Sequence, residues 1–182
     1  DKGFFFNEAN IETQANKENQ VDTVIRVSEG QKVTIENIRF SGNKNFPDKK
    51  LREAMETKEK SWISWLDDSG IYKKDALKID LLRIESFYHD NGHLKVRVLE
   101  PQIDINKKDK KINVNIPIEE GDQYRVGKIE IQEDETFTGQ ELRAAVKIRE
   151  GEIYNMSLVR EDILNLTELY SKKGYAYADV SP

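Results

Sequence analysis

No cysteine occurs among the 182 residues, so disulfide staples and thiol chemistry are excluded and the redox compartment is left open. Long hydrophobic runs are absent too: nothing reaches the length of a membrane-spanning helix, and no charged start followed by an apolar run marks a signal peptide. Excess positive charge is missing, since 29 Lys and Arg stand against 34 Asp and Glu for a net charge of −5. With no clustered face of arginines, a phosphate-backbone partner drops out, and with it nucleic acid. The usual signatures of chemistry are lacking as well. No serine sits in a Gly-x-Ser-x-Gly elbow, and there is no glycine-rich phosphate loop. His89 and His93 have the spacing of a helical metal pair, but Gly92 between them should end the helix. A helix-end histidine and a strand-edge ring are therefore expected. Asp67-Asp68 and Glu119-Glu120 are adjacent carboxylates in turns, read as solvated loops rather than an acid and a base. The chain is accordingly expected to be no enzyme, with no catalytic residue, no metal site and no cofactor.

What is present is a repeat. The stretch from Gly92 to Gly121 alternates apolar residues in Leu94, Val96 and Val98 and again in Ile112, Val114, Ile116 and Ile118, with a lysine-rich turn between them, which is the pattern of a β-hairpin. Gly3 to Gly30 has the same plan: Val21, Thr23, Ile25 and Val27 match the second strand, and Glu29-Gly30 matches Glu120-Gly121. A third copy opens at Gly174. After Gly30 and again after Gly121 comes a strand whose two-residue period slips, at Glu36-Asn37 in the first case, as at a bulge. Next, a helix around Pro47 to Lys58 has Leu51, Ala54 and Met55 on one face, and Leu142, Ala145 and Val146 follow 91 residues later. Thr138 with Glu141 forms a capping-box pattern. A second helix carries Leu77, Leu81, Ile84 and Tyr88, matched 82 residues on by Val159, Ile163, Leu166 and Tyr170. The drop from 91 to 82 places nine extra residues, Ser61 to Ser69, in the first copy.

The predicted fold class is α+β: tandem β-α-α-β-β units, each a three-stranded mixed sheet covered on one face by two antiparallel helices. The boundaries expected are 1–30 for the terminal hairpin of a preceding unit, 31–120 for a complete unit, and 121–182 for a unit lacking its last strand. Opening on half a unit, the chain reads as a piece of something longer. Very short connections between units favour a stiff rod.

The order of elements, with Phe40 to Asn43 after the first strand, Asp90 to His93 before the second and Glu119 to Gly121 after the third, closely resembles the POTRA (polypeptide-transport-associated) domain. Such domains occur in tandem in bacterial outer-membrane protein assembly factors and, in smaller number, in two-partner secretion transporters. The tryptophan insert, with GDQYRVGKIEI and YSKKGYAYADV, looks most like the third and fourth domains of an assembly factor, with the end of the second before them. The resemblance implies a non-enzymatic periplasmic arm of a Gram-negative outer-membrane protein. Implied partners are unfolded outer-membrane proteins, assembly-machine lipoproteins and a C-terminal membrane β-barrel of the same full-length chain. A passive structural spacer is the competing reading.

A sheet with helices on one face leaves backbone free at its edges, and an extended peptide can pair there. In the resembling family the second strand is such an edge, which carries over here to Leu94, Lys95, Val96, Arg97, Val98 and Leu99. Lys95 and Arg97 are also the charged residues by which edges discourage pairing. Trp62, Ile63, Trp65 and Leu66 of the insert are candidates for a partner or interdomain contact, with core packing expected for at least one tryptophan. Pro117, lacking an N–H, should lie where its strand needs none, near the end. Lys107 to Lys111 reads as a solvated turn tip. Finally, a hairpin without a domain at one end and a domain without a strand at the other let one molecule supply what another needs, head to tail.

Overall fold

A computed structural model of the chain describes residues 4–5, 8–15, 21–28, 30–62, 64, 69–132, 135–175 and 180. The chain begins with four strands, β1 (Phe4–Phe5), β2 (Glu8–Ala15), β3 (Val21–Ser28) and β4 (Gln31–Lys32). β1 pairs with β4, while β2 and β3 form an unbroken antiparallel ladder from Glu8↔Ser28 to Ala15↔Val21. Alternation puts Ile11, Val21, Ile25 and Val27 on one face of that hairpin, and all four are exposed.

Next come β5 (Thr34–Ser41), α1 (Asp48–Ala54), α2 (Lys74–Asp90), β6 (Arg97–Val98), β7 (Gln102–Asn106) and β8 (Lys111–Glu119). β8 is central, parallel to β5 on one side and antiparallel to β6 and β7 on the other. This is the expected mixed sheet. Period-2 alternation turns Ile112, Val114, Ile116 and Ile118 toward the helices, where all four are buried beside Leu51, Met55, Leu77, Ile84 and Tyr88. The slip at Glu36-Asn37 is real: the β5–β8 register shifts between Ile35 and Asn37, which lets Ile35, Ile38 and Phe40 all reach the core. Gly42 turns the chain out of β5 with a positive φ of 87°, and a side chain there would meet the Ile118 carbonyl at 2.1 Å.

Helix α1 is shorter than the expected span to Lys58, and Pro47 stands at its N-cap rather than inside it. The cause is Asp80, a wholly buried carboxylate on α2 that accepts the Glu56 and Thr57 amides at 2.7 and 2.8 Å and draws the chain out of the helix. Lys58 Nζ then takes the vacated carbonyls of Arg52 and Met55.

The second copy holds α3 (Gly139–Ala145) and α4 (Met156–Lys172). Thr138 and Glu141 complete the capping box ahead of α3. Asp162 repeats the role of Asp80 by accepting the Lys147 and Ile148 amides. Residues 124–132 run where a first strand belongs but form no ladder with another strand, and the bridge Arg125↔Ile153 is the β-pairing they make among the described residues. A single strand with no partner beside it has nothing to form a ladder with, and among the described residues no counterpart of β8 follows α4.

Candidate strand-docking edge

Two open edges were expected from the three-stranded sheet of the first copy, and one of them is closed. Along the outer side of β5, Tyr72 N–H donates to the Val33 carbonyl (2.9 Å), Ile35 N–H to Gly70 (2.7 Å) and Lys60 N–H to Ile35 (2.8 Å). Side chains finish the work: Glu59 accepts the Ile38 amide at 2.8 Å and Arg52 donates to the Ile38 carbonyl at 2.9 Å. The residues on either side of the nine extra ones, Lys60 and Gly70 to Tyr72, thus lie along this edge. The second copy repeats the cover, with Tyr154, Gly151, Glu152 and Glu150 bonding to Tyr124, Val126 and Ile129.

The opposite edge is β6 and β7, and it is broken. Val98 faces Ile118 while Gln102 faces Asn115, so four steps along the edge span three along β8, and one residue is extra. Pro117 is the reason. Leu99 N–H donates to the Pro117 carbonyl at 2.9 Å, but Pro117 has no N–H to return, and the ladder is interrupted opposite it. Bonding direction alternates along a strand. If β8 turns the backbone of Pro117 toward this edge, it also turns Asn115, Asn113 and Lys111, and their partners Gln102, Asp104 and Asn106 point inward. Ile103 and Ile105 therefore direct their N–H and C=O groups away from the sheet, and no described strand pairs with them on that side.

The segment proposed from sequence, 94–99, differs from expectation. Leu94 and Lys95 lie in a turn, held by bonds from Leu94 and Val96 back to Gly92 and His93, and Val96 is buried in the core. Only Arg97 and Val98 belong to a strand, and the Arg97 guanidinium is ion-paired with Glu119. Leu99 has already used its N–H. The correction follows from the tight exit of α2 at Gly92, which leaves too few residues for an extended run before β6. The strand of this edge with outward-pointing backbone is Gln102–Asn106, whose Ile103 and Ile105 mirror Val114 and Ile112 across the lysine turn.

Beside this edge lies a shallow cleft, about 60 Å³, where Ile103 and Pro101 meet Leu77, Leu81 and Tyr72, with Lys74, Lys78 and Glu100 around it. Near the turn, Lys111 is ion-paired with Glu36 at 2.7 Å, and that hydrogen bond holds its ammonium above the ordinary lysine value. Asn106 Oδ1 organises the lysine turn by accepting the Lys108 and Asp109 amides.

Other residues fall elsewhere. Trp62 is 87% exposed, so it is not a core residue; Ile63, Trp65 and Leu66 lie outside the described residues. Glu120 is no solvated loop carboxylate. It is buried and accepts the Tyr88 hydroxyl (2.9 Å) together with the amide and side chain of Asn45, and burial with this partner pushes the Tyr88 phenol well above its usual range. His93 packs edge-on against Phe46 and Tyr88 as a core ring.

The two copies meet at the end of α2. Asp90 accepts both the amide and the hydroxyl of Ser157 in the first turn of α4, at 2.7 and 2.8 Å. Tyr124 N–H donates to the Gly92 carbonyl at 2.8 Å, Gln123 to Asn91 at 3.0 Å, and Lys95 lies over the Tyr124 ring. Gly92 has a φ of 85°, and a side chain there would approach the Tyr124 carbonyl to 2.6 Å. A carboxylate at a helix N-terminus is favoured by the helix dipole, so the seat is chemically specific.

Consecutive repeats of this element order define a class of small α+β modules set in tandem. The family model for POTRA, described as surface antigen variable number repeat, matches residues 33–121 and 124–182. The chain belongs to the POTRA family. It is similar to outer membrane protein assembly factor BamA of Neisseria meningitidis serogroup B, at 28% identity over 90% of this chain and 21% of the relative. BamA of Buchnera aphidicola is 31% identical over 84% of this chain and 23% of the relative. The chain thus spans about a fifth of the length of these curated relatives. Among solved structures, Haemophilus influenzae BamA POTRA3-5 superposes with a TM-score of 0.55 at 17% identity, covering 92% of this chain and 63% of that one, a likeness of fold.

Proposed function

We propose that the chain is part of the periplasmic arm of an outer-membrane protein assembly factor, and that it holds extended segments of unfolded β-barrel clients by strand addition to β7. Partner lipoproteins and a C-terminal membrane barrel complete the machine in this reading. The observation that supports it is the contrast between edges: β5 is sealed by five hydrogen bonds to its own loop and side chains, whereas the outward groups of Ile103 and Ile105 pair with no described strand.

Backbone pairing recognises extension rather than side-chain identity, which suits a receptor for many strand-rich clients. The interaction is weak. Each added hydrogen bond nets about 0.5–1.5 kcal/mol, and ordering each client residue costs about 1–2 kcal/mol. The balance lies near zero unless alternate client side chains enter the cleft beside Ile103 and Leu81. Holding is therefore brief and reversible, as handing over an unfolded chain requires.

The test is a backbone-amide NMR titration with extended peptides of alternating apolar residues, taken from outer-membrane strands. Shifts at Ile103 and Ile105 that leave Val33 to Ile38 unmoved are expected. Saturating peptide that moves neither edge would overturn the reading in favour of a spacer.

A further inference from the structure

Strand β7 has two unlike faces, and they ask different things of whatever pairs with it. Alternation turns Ile103 and Ile105 toward the helices, with Ile103 lining the cleft beside Leu77 and Leu81, and turns Gln102, Asp104 and Asn106 to the open face of the sheet. On that open face the neutral side chains are engaged. Gln102 accepts from Asn115 at 3.2 Å, Asn106 donates to Asp109 at 2.8 Å, and Asn37 donates to Asn113 at 2.9 Å. Asp104 is the exception: it is exposed at the middle of the five-residue strand, and among the described residues its carboxylate has no hydrogen bond or ion pair. The cations around it are committed or distant. Lys111 is held by Glu36, Arg39 stands two strands away on β5, and the turn lysines lie beyond Asn106.

The register fixes what a partner strand brings to Asp104. Because Ile103 and Ile105 carry the outward N–H and C=O groups, an antiparallel partner makes its hydrogen-bonded pairs with them. The partner residue between those two falls opposite Asp104 in a non-hydrogen-bonded pair, where Cα atoms stand about 4.5 Å apart rather than about 5.5 Å and side chains are closer. Its side chain lies on the open face, away from the cleft that takes its apolar neighbours. Opposite charges in such a pair stabilise a sheet, and like charges weaken it. Two copies of β7 meeting antiparallel about Asp104 would set carboxylate against carboxylate, so the same side chain opposes self-pairing.

We propose that Asp104 is a specificity-determining residue of the β7 edge: the edge prefers extended segments that carry lysine or arginine between two aliphatic residues, and disfavours those that carry aspartate or glutamate there. The inference rests on strand addition to β7 and adds a charge filter to it. Backbone pairing accepts any extended chain, the cleft takes an aliphatic side chain on one face, and Asp104 reads charge on the other.

Three peptides with blocked termini, identical except for lysine, glutamine or glutamate at the centre of Thr-Val-x-Val-Thr, test it in backbone-amide titrations of the whole chain. The lysine peptide should bind about two- to tenfold more tightly than the glutamate peptide, with glutamine between them. Asp104→Asn should level that order and Asp104→Lys should reverse it; the side chain faces solvent, so neither variant disturbs the core. Added salt should narrow the spread, because the pair is exposed. Equal affinity for all three peptides, with shifts at Ile103 and Ile105, overturns the charge filter and leaves strand docking standing. A lysine preference that survives Asp104→Lys overturns it as well. Shifts at neither isoleucine with any peptide overturn strand docking itself, and the filter with it.

Discussion

The first and second copies of the repeat share their helices, their buried aspartates and the loop that lines the first strand, yet among the described residues the first encloses a much larger core, while the second buries Phe137, Leu142 and Val146. In the first, Ile112, Val114, Ile116 and Ile118 are almost inaccessible, and Leu77, Ile84 and Tyr88 of α2 are buried against them. In the second, the matching residues of α4 remain half-exposed, and Asp162 is the buried residue of that helix. Two helices and a lone strand position each other through capping and local hydrogen bonds. Most of the hydrophobic term arrives with the central strand, which covers both helices at once.

The largest effect should come from that strand. Truncating Ile116 to alanine in a fully buried position should destabilise the first copy by about 2–5 kcal/mol, read from urea unfolding. The same change at half-exposed Ile131 should cost well under half as much, and equal costs would erase the distinction between the copies.

Asp80 comes next. Burial pushes its carboxyl up, but hydrogen bonds from Thr57, Glu56 and Arg83 outweigh burial and hold it below the ordinary carboxylate range. A depressed folded value means that its contribution is present above the unfolded carboxylate value, near pH 4, and is lost as pH falls through the folded one. Asp80→Ala should orphan two buried amides, at about 1–3 kcal/mol each. Measured stability of Asp80→Asn should consequently be flatter than wild type in acid below pH 4. An unchanged acid limb would show that the clasp carries no charge-dependent stability.

A smaller effect is expected at the seat between the copies. Gly92→Ala forces a side chain into left-handed backbone, at about 1–2 kcal/mol, and against the Tyr124 carbonyl. Spin-label distances between α2 and α4 should broaden, as they should, less, in Ser157→Ala, which removes one of two bonds to Asp90. Distributions as narrow as wild type would mean that the joint is fixed by something other than this seat.

Much of this was legible in the residues. The 91- and 82-residue offsets, the slip at Glu36-Asn37, the capping box and the apolar stripes all depend on local spacing, and the structure realises each. What stayed hidden depends on contacts far apart in the chain. Asp80 and Asp162 interrupt an apolar stripe at the same place in both copies, a signal that was present, but the amides they serve are 23 or more positions away in the first copy. Glu120 looked like a turn carboxylate until the fold brought Tyr88 and Asn45 to it. The edge expected at 94–99 carries over from the family resemblance; of those residues the structure puts only Arg97 and Val98 in a strand, while the strand with outward backbone is β7.

The central claim is that β7 offers its outward backbone to an incoming strand, and a pair of proline substitutions tests it most directly. Ile103→Pro deletes an N–H that points away from the sheet, whereas Asp104→Pro deletes one that points into it. Titrated with the same extended peptide, Ile103→Pro should stay folded and lose binding, while Asp104→Pro should lose its fold. Undiminished binding to a folded Ile103→Pro variant would contradict the account.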